Sequence, residues 1–346
     1  MAVEARHIVF YGSADMQETD TGTTQGGAID KTVKVTFADL KAAASLLLYS
    51  DSASDTAVHV VITGRDSSGA LISDNKILTG LTKSVIATAY ERLLKATKST
   101  GSTYAGNIAV VQGAEASLSG TAQSGGTTWI QLANGAITAN NDYKGKVLYV
   151  TGGSGTAQFG EIVKTVADDD KCYVRLRDKW AVATPCFGTD STYEIRAGIV
   201  FEKALGYSTE AEEINVVRRP FYNAASDPST AATFYEKLFA TNVNGTLTLS
   251  NTTLTEVASG IYAKVSFALA TGLADAATIH DRRVVAASLP SNITSFFDST
   301  DGAQDCPNSK NFTYSTGLGV WLRLGLSSGD SAQNSFYELQ INGQTI

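Results

Sequence analysis

The chain has 346 residues, a formal net charge of −7, 43% hydrophobic residues and only 18% charged ones. That hydrophobic share belongs to a globular protein and excludes wholesale disorder, while the acidic balance argues against coating a phosphate backbone, which needs a basic stripe. Three histidines and three cysteines in so long a chain leave catalytic and metal-ligating groups scattered singly.

The N-terminus, MAVEARHIVFYGSADM, has no apolar stretch behind basic residues, so no signal peptide is expected. The longest apolar run, Ala42 to Tyr49, falls well short of the ~20 residues of a membrane helix. Val33, Val35 and Phe37 alternate with Lys34 and Thr36, and Val58, Val60 and Ile62 alternate with His59 and Thr63, as in strands with one wet face. Between them Phe37–Leu48 suits one or two helical turns capped by Asp39. Ala87–Lys98 suits a helix by propensity and a strand by Val85, Ile86 and Thr88; both readings stand.

Gln112–Thr128 has linker composition. Trp129 to Arg196 reads as a compact unit of about five short strands, with a Gly-rich hairpin at Gly152–Gly155 and a turn at Asp168–Asp170. Ala225–Phe239, opened by Asp227-Pro228, is a third helical window. Near the end Val320, Leu322, Leu324 and Leu326 face opposite Trp321 and Arg323, and Tyr337, Leu339 and Ile341 face opposite Glu338 and Gln340. The apolar sets should share one core, with Ser327–Asn334 as a hairpin loop between the two strands.

The pattern predicts an all-β fold: tandem β-sandwich domains with a small inserted β-barrel and little helix. The divisions fall at 1–115 (a sandwich-like domain), 129–196 (the barrel), 197–234 (a connector) and 235–346 (the C-terminal sandwich).

Each chemically suggestive group has a plainer reading. Gly152-Gly153-Ser154-Gly155-Thr156 lacks the Gly-Lys-Ser/Thr of a phosphate loop and leads into a strand, so it reads as a hairpin turn. Asp168, Asp169 and Asp170 are consecutive, whereas calcium ligands alternate along a loop, so they read as a solvated turn. Cys172 shares a face with Val174 and Leu176 and reads as buried; with Cys186 and Cys306 it is expected reduced. His7, His59 and His280 have no ligand partner at metal spacing, and Glu210, Glu212 and Glu213 read as a charged connector. Trp129, Trp180 and Trp321 read as core or interface anchors rather than sugar-stacking platforms. No catalytic residue, cofactor or metal is expected. Trp321 and Arg323, placed outward on one strand, are the expected interface pair.

Several segments also carry a family resemblance. YSDSASDTAVHVVITGRDSSGALISDNKILTGLT (Tyr49–Thr82) resembles a β-module of virion structural proteins of tailed bacteriophages. VTGGSGTAQFGEI with the later DKWAV and STYEI resembles a small barrel inserted in phage tail and virion proteins. FYEKLFATNVNGTLTL (Phe234–Leu249) and GVWLRLGLSSGDSAQNSFYELQINGQT (Gly319–Thr345) resemble a phage sandwich module. The resemblance implies a non-enzymatic virion structural protein, synthesised in the host cytoplasm, acting through multivalent β-domain contacts. It favours a tail component (distal tail, baseplate or fibre-like) over a capsid decoration or cement protein or a tail-tube subunit. A host-glycan-binding module is the reading from another class. The expected partners are copies of itself in a homo-oligomer, neighbouring virion proteins and possible host surface glycan, with no direct nucleic acid and no membrane insertion.

Overall fold

The computed structural model describes residues 3–4, 7–14, 25–36, 39–99, 104–113, 116–175, 187–203, 213–221, 231–259, 264–279, 283–284, 293, 295–330 and 337–346. Every regular element among them is a strand. The chain divides into two compact units, one of residues 1–35 with 220–346 and one of residues 36–219. In chain order, the first unit supplies β1 (Ile8–Ser13), β2 (Gln25–Gly26) and β3 (Ile29–Val35).

The second unit follows with β4 (Asp39–Ser50), β5 (His59–Arg65), β6 (Leu71–Ile77), β7 (Ser84–Lys98) and β8 (Ile108–Gln112). Its barrel strands are β9 (Leu118–Thr121), β10 (Ser124–Gly125), β11 (Trp129–Gln131), β12 (Val147–Gly152), β13 (Phe159–Val166), β14 (Lys171–Arg175) and β15 (Thr192–Arg196). β16 (Gly198–Phe201) and β17 (Val216–Arg218) complete it. The first unit then resumes with β18 (Ala232–Asn242), β19 (Leu249–Ser259), β20 (Val265–Leu273), β21 (Thr278–Ile279), β22 (Arg283–Val284), β23 (Gln304–Asp305), β24 (Gly317–Leu326) and β25 (Tyr337–Thr345).

The second unit holds an open sheet in which β8 lies between β16 and β4, and β4 pairs with β7. The far half of β7 lies between β17 and the β5–β6 hairpin. Two windows with helical propensity are strands here. In β4, Ala44, Leu46, Leu48 and Ser50 are buried, and in β7 Ser84, Ile86, Tyr90, Leu94, Ala96 and Lys98 are. The β4 set recurs every second residue and the β7 set falls on one parity at both ends of the strand, while β8, β7 and β5 supply the ladder hydrogen bonds, so sheet pairing overrides the Ala/Leu propensity. The third helical window also ends as strand, β18; its opening Asp227-Pro228 lies outside the described residues.

The barrel sheet runs β10-β11-β14-β13-β12-β15-β9. Its first and last strands are consecutive in sequence, joined only by Ala122 and Gln123. The Ala122 N–H donates to Ser191 O (2.8 Å) and the Gln123 N–H to Gln131 O (2.9 Å), so this one segment bonds both ends of the sheet and curls it closed. The Gln112–Thr128 stretch is therefore not all linker, because its small polar residues make the two closing strands. Ile130, Leu132, Leu148, Val150, Ile162 and Ile195 fill the interior. The excursion leaves from β8 and returns to β16, its antiparallel neighbour, where the Gln112 N–H bonds Ala197 O (2.8 Å). Tyr49 of the open sheet meets Tyr149 and Phe159 of the barrel edge-on, with ring centroids 4.6 and 5.1 Å apart.

In the first unit, one sheet runs β3-β1-β18-β24-β20, with β22 pairing the start of β18. A second has the order β23-β19-β25. Leu238, Leu254, Phe267, Val320 and Leu322 pack between them with Tyr337, Leu339 and Ile341. Leu324 packs beside Phe234 and Val265, with Leu326 and Tyr337 against them. The expected core set thus meets, but β24 and β25 are not a hairpin. β25 pairs with β19 in the facing sheet, so the two strands meet through side chains rather than backbone.

Because β8 and β16 already pair at the exit and return of the barrel, replacing residues 113–196 by Asn-Gly should close a hairpin there and keep cooperative unfolding. The shortened chain should melt at lower temperature and bind more of an apolar-surface dye through uncovered Tyr49, and Tyr49→Ser in that background should reduce the dye binding. Loss of any cooperative transition would contradict this.

Candidate functional site

The expected interface pair sits on β24, and its surroundings correct the expectation for Trp321. Its side chain is fully buried. The face of β24 opposite the sandwich core is not open to water, because the two-stranded β2–β21 ribbon and the segment around Ile293 and Phe296 cover it. Gly26 of that ribbon has φ +103°, and a Cβ there would stand 2.8 Å from Trp321 Cη2, so glycine lets the ribbon lie on the indole. The Trp321 Nε1–H has no hydrogen-bond partner among the described residues. Arg323 is half-buried, donates from Nε to Ser266 Oγ (3.0 Å) and stacks over Phe296, with Cζ 4.7 Å from the ring centroid.

Next to Trp321 lies Lys237, a residue that the sequence reading passed over. It falls between Tyr235 and Phe239 on the covered face of β18, and its side chain is fully buried. Its ammonium donates to Gly27 O (2.8 Å), Ala277 O (2.8 Å) and Asp275 Oδ2 (2.6 Å), with Asp275 O at 3.3 Å. The Phe239 and Trp321 rings flank it at 5.1 and 5.3 Å. Burial pushes its pKa down and Asp275 acts against that. Three carbonyls and one carboxylate compensate the ammonium, and in doing so they pin the ribbon to the sheet. A charged residue flanked by two aromatics on one strand face was the available signal.

A carboxylate cluster lies at the β20 side of the same unit. Phe297 extends the sheet past β20 by two backbone bonds with Phe267, 2.9 and 2.7 Å. Asp298, next along, is held below the ordinary carboxylate range by the Thr300 hydroxyl and N–H, at 2.6 and 2.8 Å, with Arg323 adding to this. Glu256 is buried on β19, and burial, with the Asp298 charge, pushes its carboxyl up. Tyr337 adjoins it, its phenol raised by burial and by Glu256. Two carboxyls with opposed shifts can in principle divide acid and base roles. Here Asp298 is committed to its own turn.

The remaining candidates are used internally. The Asp170 carboxylate accepts the Gly135 and Ile137 N–H groups, both at 2.9 Å, and Asp169 pairs with Lys171 at 2.6 Å, so the triplet diverges. Gly153 has φ +73°, and a Cβ there would meet Asp190 O at 2.1 Å, which accounts for glycine in that hairpin turn. Cys172 and Cys306 are buried free thiols, and burial raises Cys306 to about 12. His7 Nδ1 accepts the Glu4 N–H (2.8 Å), and His59 bonds Asn75 across β5–β6 (3.2 Å). Glu213 is bridged by Lys98 and Lys203; burial raises its carboxyl, but the two lysines outweigh that and hold it below its ordinary value. Trp129 is half-buried with the Lys171 ammonium over its ring at 5.3 Å. Trp180, Cys186, His280, Glu210 and Glu212 lie outside the described residues. Among the described residues no three His, Cys, Asp or Glu side chains gather as a metal-holding group, and no helix is long and apolar enough to cross a membrane.

What the second unit offers outward is the β6 edge, which sequence reasoning also missed. Among the described residues β6 pairs only with β5. Leu71 (62% exposed) and Ile77 (46%) lie on it, and Leu81 (44%) and Val85 (52%) follow in the turn and on β7. No protein-family model matches the chain, and no curated protein matches it.

Removing the Lys237 ammonium leaves the half-buried Asp275 carboxylate and three carbonyls without their shared donor. Lys237→Met should therefore cost about 3–5 kcal/mol, and Trp321→Ala, now a core truncation, about 3–5 kcal/mol, both read from denaturant unfolding. A Trp321→Ala chain of unchanged stability would restore Trp321 to the surface.

Glu256 gives a pH test. A folded-state carboxyl raised above its unfolded value favours the native state at low pH, and that contribution is lost as pH rises through the folded value. Glu256→Gln should therefore raise the melting temperature at pH 7, and the gain should vanish below the ordinary glutamate range. An equal gain at pH 7 and pH 3.5 would contradict the assignment.

Proposed function

We propose that the chain is a non-enzymatic structural protein of a tailed-phage virion, a tail component acting by contacts between β-units. The observation that carries the reading is the exposed apolar set on and beside an open strand edge, Leu71, Ile77, Leu81 and Val85. Such a surface loses water only when another chain covers it. The groups with chemical potential are spent on holding the fold: Lys237 pins a ribbon, Asp170 caps a loop and Glu213 bridges two lysines. An open sheet, a barrel and a sandwich on one chain also suit a part that meets several neighbours, and the phage resemblance of the segments that build them supports the tail.

The reading is tested by peptide mass spectrometry of purified particles and by gold-labelled antibody against the chain. The chain should co-purify with particles at fixed stoichiometry and label the tail. A chain abundant in lysate and absent from washed particles would overturn the reading, and label confined to the head would overturn the tail assignment.

A further inference from the structure

We propose that the free edge of β6 is a self-association site, where β6 of two copies pair antiparallel about a two-fold axis through Asn75. The inference rests on the reading that this chain works through contacts with its own copies, and it names the surface and the register.

Backbone parity defines which groups are available. Leu78 N–H bonds Val58 O (2.9 Å) and Asp66 N–H bonds Ala70 O (3.1 Å), at the two ends of the β5–β6 ladder. The register between them is unbroken, running from His59↔Ile77 to Arg65↔Leu71. Hydrogen-bonded pairs alternate in an antiparallel ladder, so Ile72, Asp74 and Lys76 turn their N–H and C=O toward β5. Leu71, Ser73, Asn75 and Ile77 therefore turn theirs away from β5, with one lone pair of the Ile77 carbonyl taken by the Ser84 hydroxyl (3.2 Å) and the other open, and these four are also the exposed residues of the strand.

A two-fold through Asn75 places Asn75 opposite Asn75, Ser73 opposite Ile77 and Asp74 opposite Lys76 of the other copy. Three outward pairs then exchange six backbone hydrogen bonds, and symmetry gives two Asp–Lys pairs. Ile77 falls diagonal to Leu71 of the other copy, within reach of long side chains. Centring on Asp74 instead would set two aspartates face to face, which like charge disfavours. Asp74 is already aimed by Tyr90, whose hydroxyl donates to its Oδ2 at 2.8 Å.

Other edges are less suited. The β20 edge is extended by Phe297, β16 is buried throughout, and β25 breaks register with β19 at two places. Bulged edges twist away from a partner, whereas β6 carries no bulge against β5.

The test is sedimentation velocity of the full chain over a concentration series, with variants whose folding is checked by circular dichroism and thermal melting. Wild type should show a monomer–dimer equilibrium. Asn75→Pro removes an outward N–H and no ladder hydrogen bond, and should abolish the dimer. Lys76→Glu sets like charges opposite each other twice and should weaken the dimer about tenfold or more; adding Asp74→Lys should restore it. If Asn75→Pro does not fold, the two charge variants carry the decision. A wild type monomeric at all concentrations, or a dimer indifferent to Lys76→Glu, overturns the proposal. A monomeric wild type whose particle incorporation is still lost with Lys76→Glu assigns the edge to a different virion protein, and also overturns self-pairing. The virion reading fails separately, if the chain dimerises as described yet is absent from particles.

Discussion

The ammonium of Lys237 is the interaction on which the first unit depends. β18 and β24 are covered on both faces: the β19–β25 sheet lies over one, and the β2–β21 ribbon with Phe296 lies over the other. The ribbon has only two residues in each strand, and the backbone carbonyls beside it must be satisfied once water is excluded. Lys237 supplies that donor to Gly27, Ala277 and Asp275 at once. A charge inside a sheet layer is costly alone, and it persists because every ammonium hydrogen finds an oxygen while Trp321 and Phe239 exclude solvent. The ribbon in turn buries Trp321, so one lysine decides whether that face of β24 is core or surface.

This dependence accounts for what the sequence made legible. Alternation at Val320, Leu322 and Leu324 was readable because the period of two is local and the sandwich face is continuous. The turns at Gly152–Gly155 and Asp168–Asp170 were readable for the same reason, since glycine and aspartate chemistry acts within a few residues. Trp321 was misread because the cover over it comes from residues 25–26 and 278–279, far away in sequence, and alternation cannot count layers. In β4, Ala43, Ala44 and Leu46–Leu48 carry helical propensity, yet β7 and β8 on either side supply the hydrogen bonds that make them a strand. The closing strands β9 and β10 hid within linker composition because small residues serve a barrel corner as well as a loop.

The candidate sites follow the same division. Reading the aspartate triplet as a turn needed only spacing, whereas the opposed shifts of Glu256 and Asp298 depend on which carboxylate burial reaches. The β6 edge was hidden differently. LISDNKI has apolar residues at both parities, Leu71 and Ile77 on one and Ile72 on the other, so the alternation does not say which face is wet. Only the unbroken ladder with β5 fixes the parity, and with it the outward backbone groups.

Residue-resolved amide hydrogen exchange across a dilution series tests the central claim, a β6 edge turned outward to other chains, most directly. The Ile72, Asp74 and Lys76 amides, bonded to β5, should be protected at every concentration. The Ser73, Asn75 and Ile77 amides should exchange freely when dilute and gain protection as concentration rises. Protection of those three that does not change with dilution, or rapid exchange at Asp74, would contradict the account.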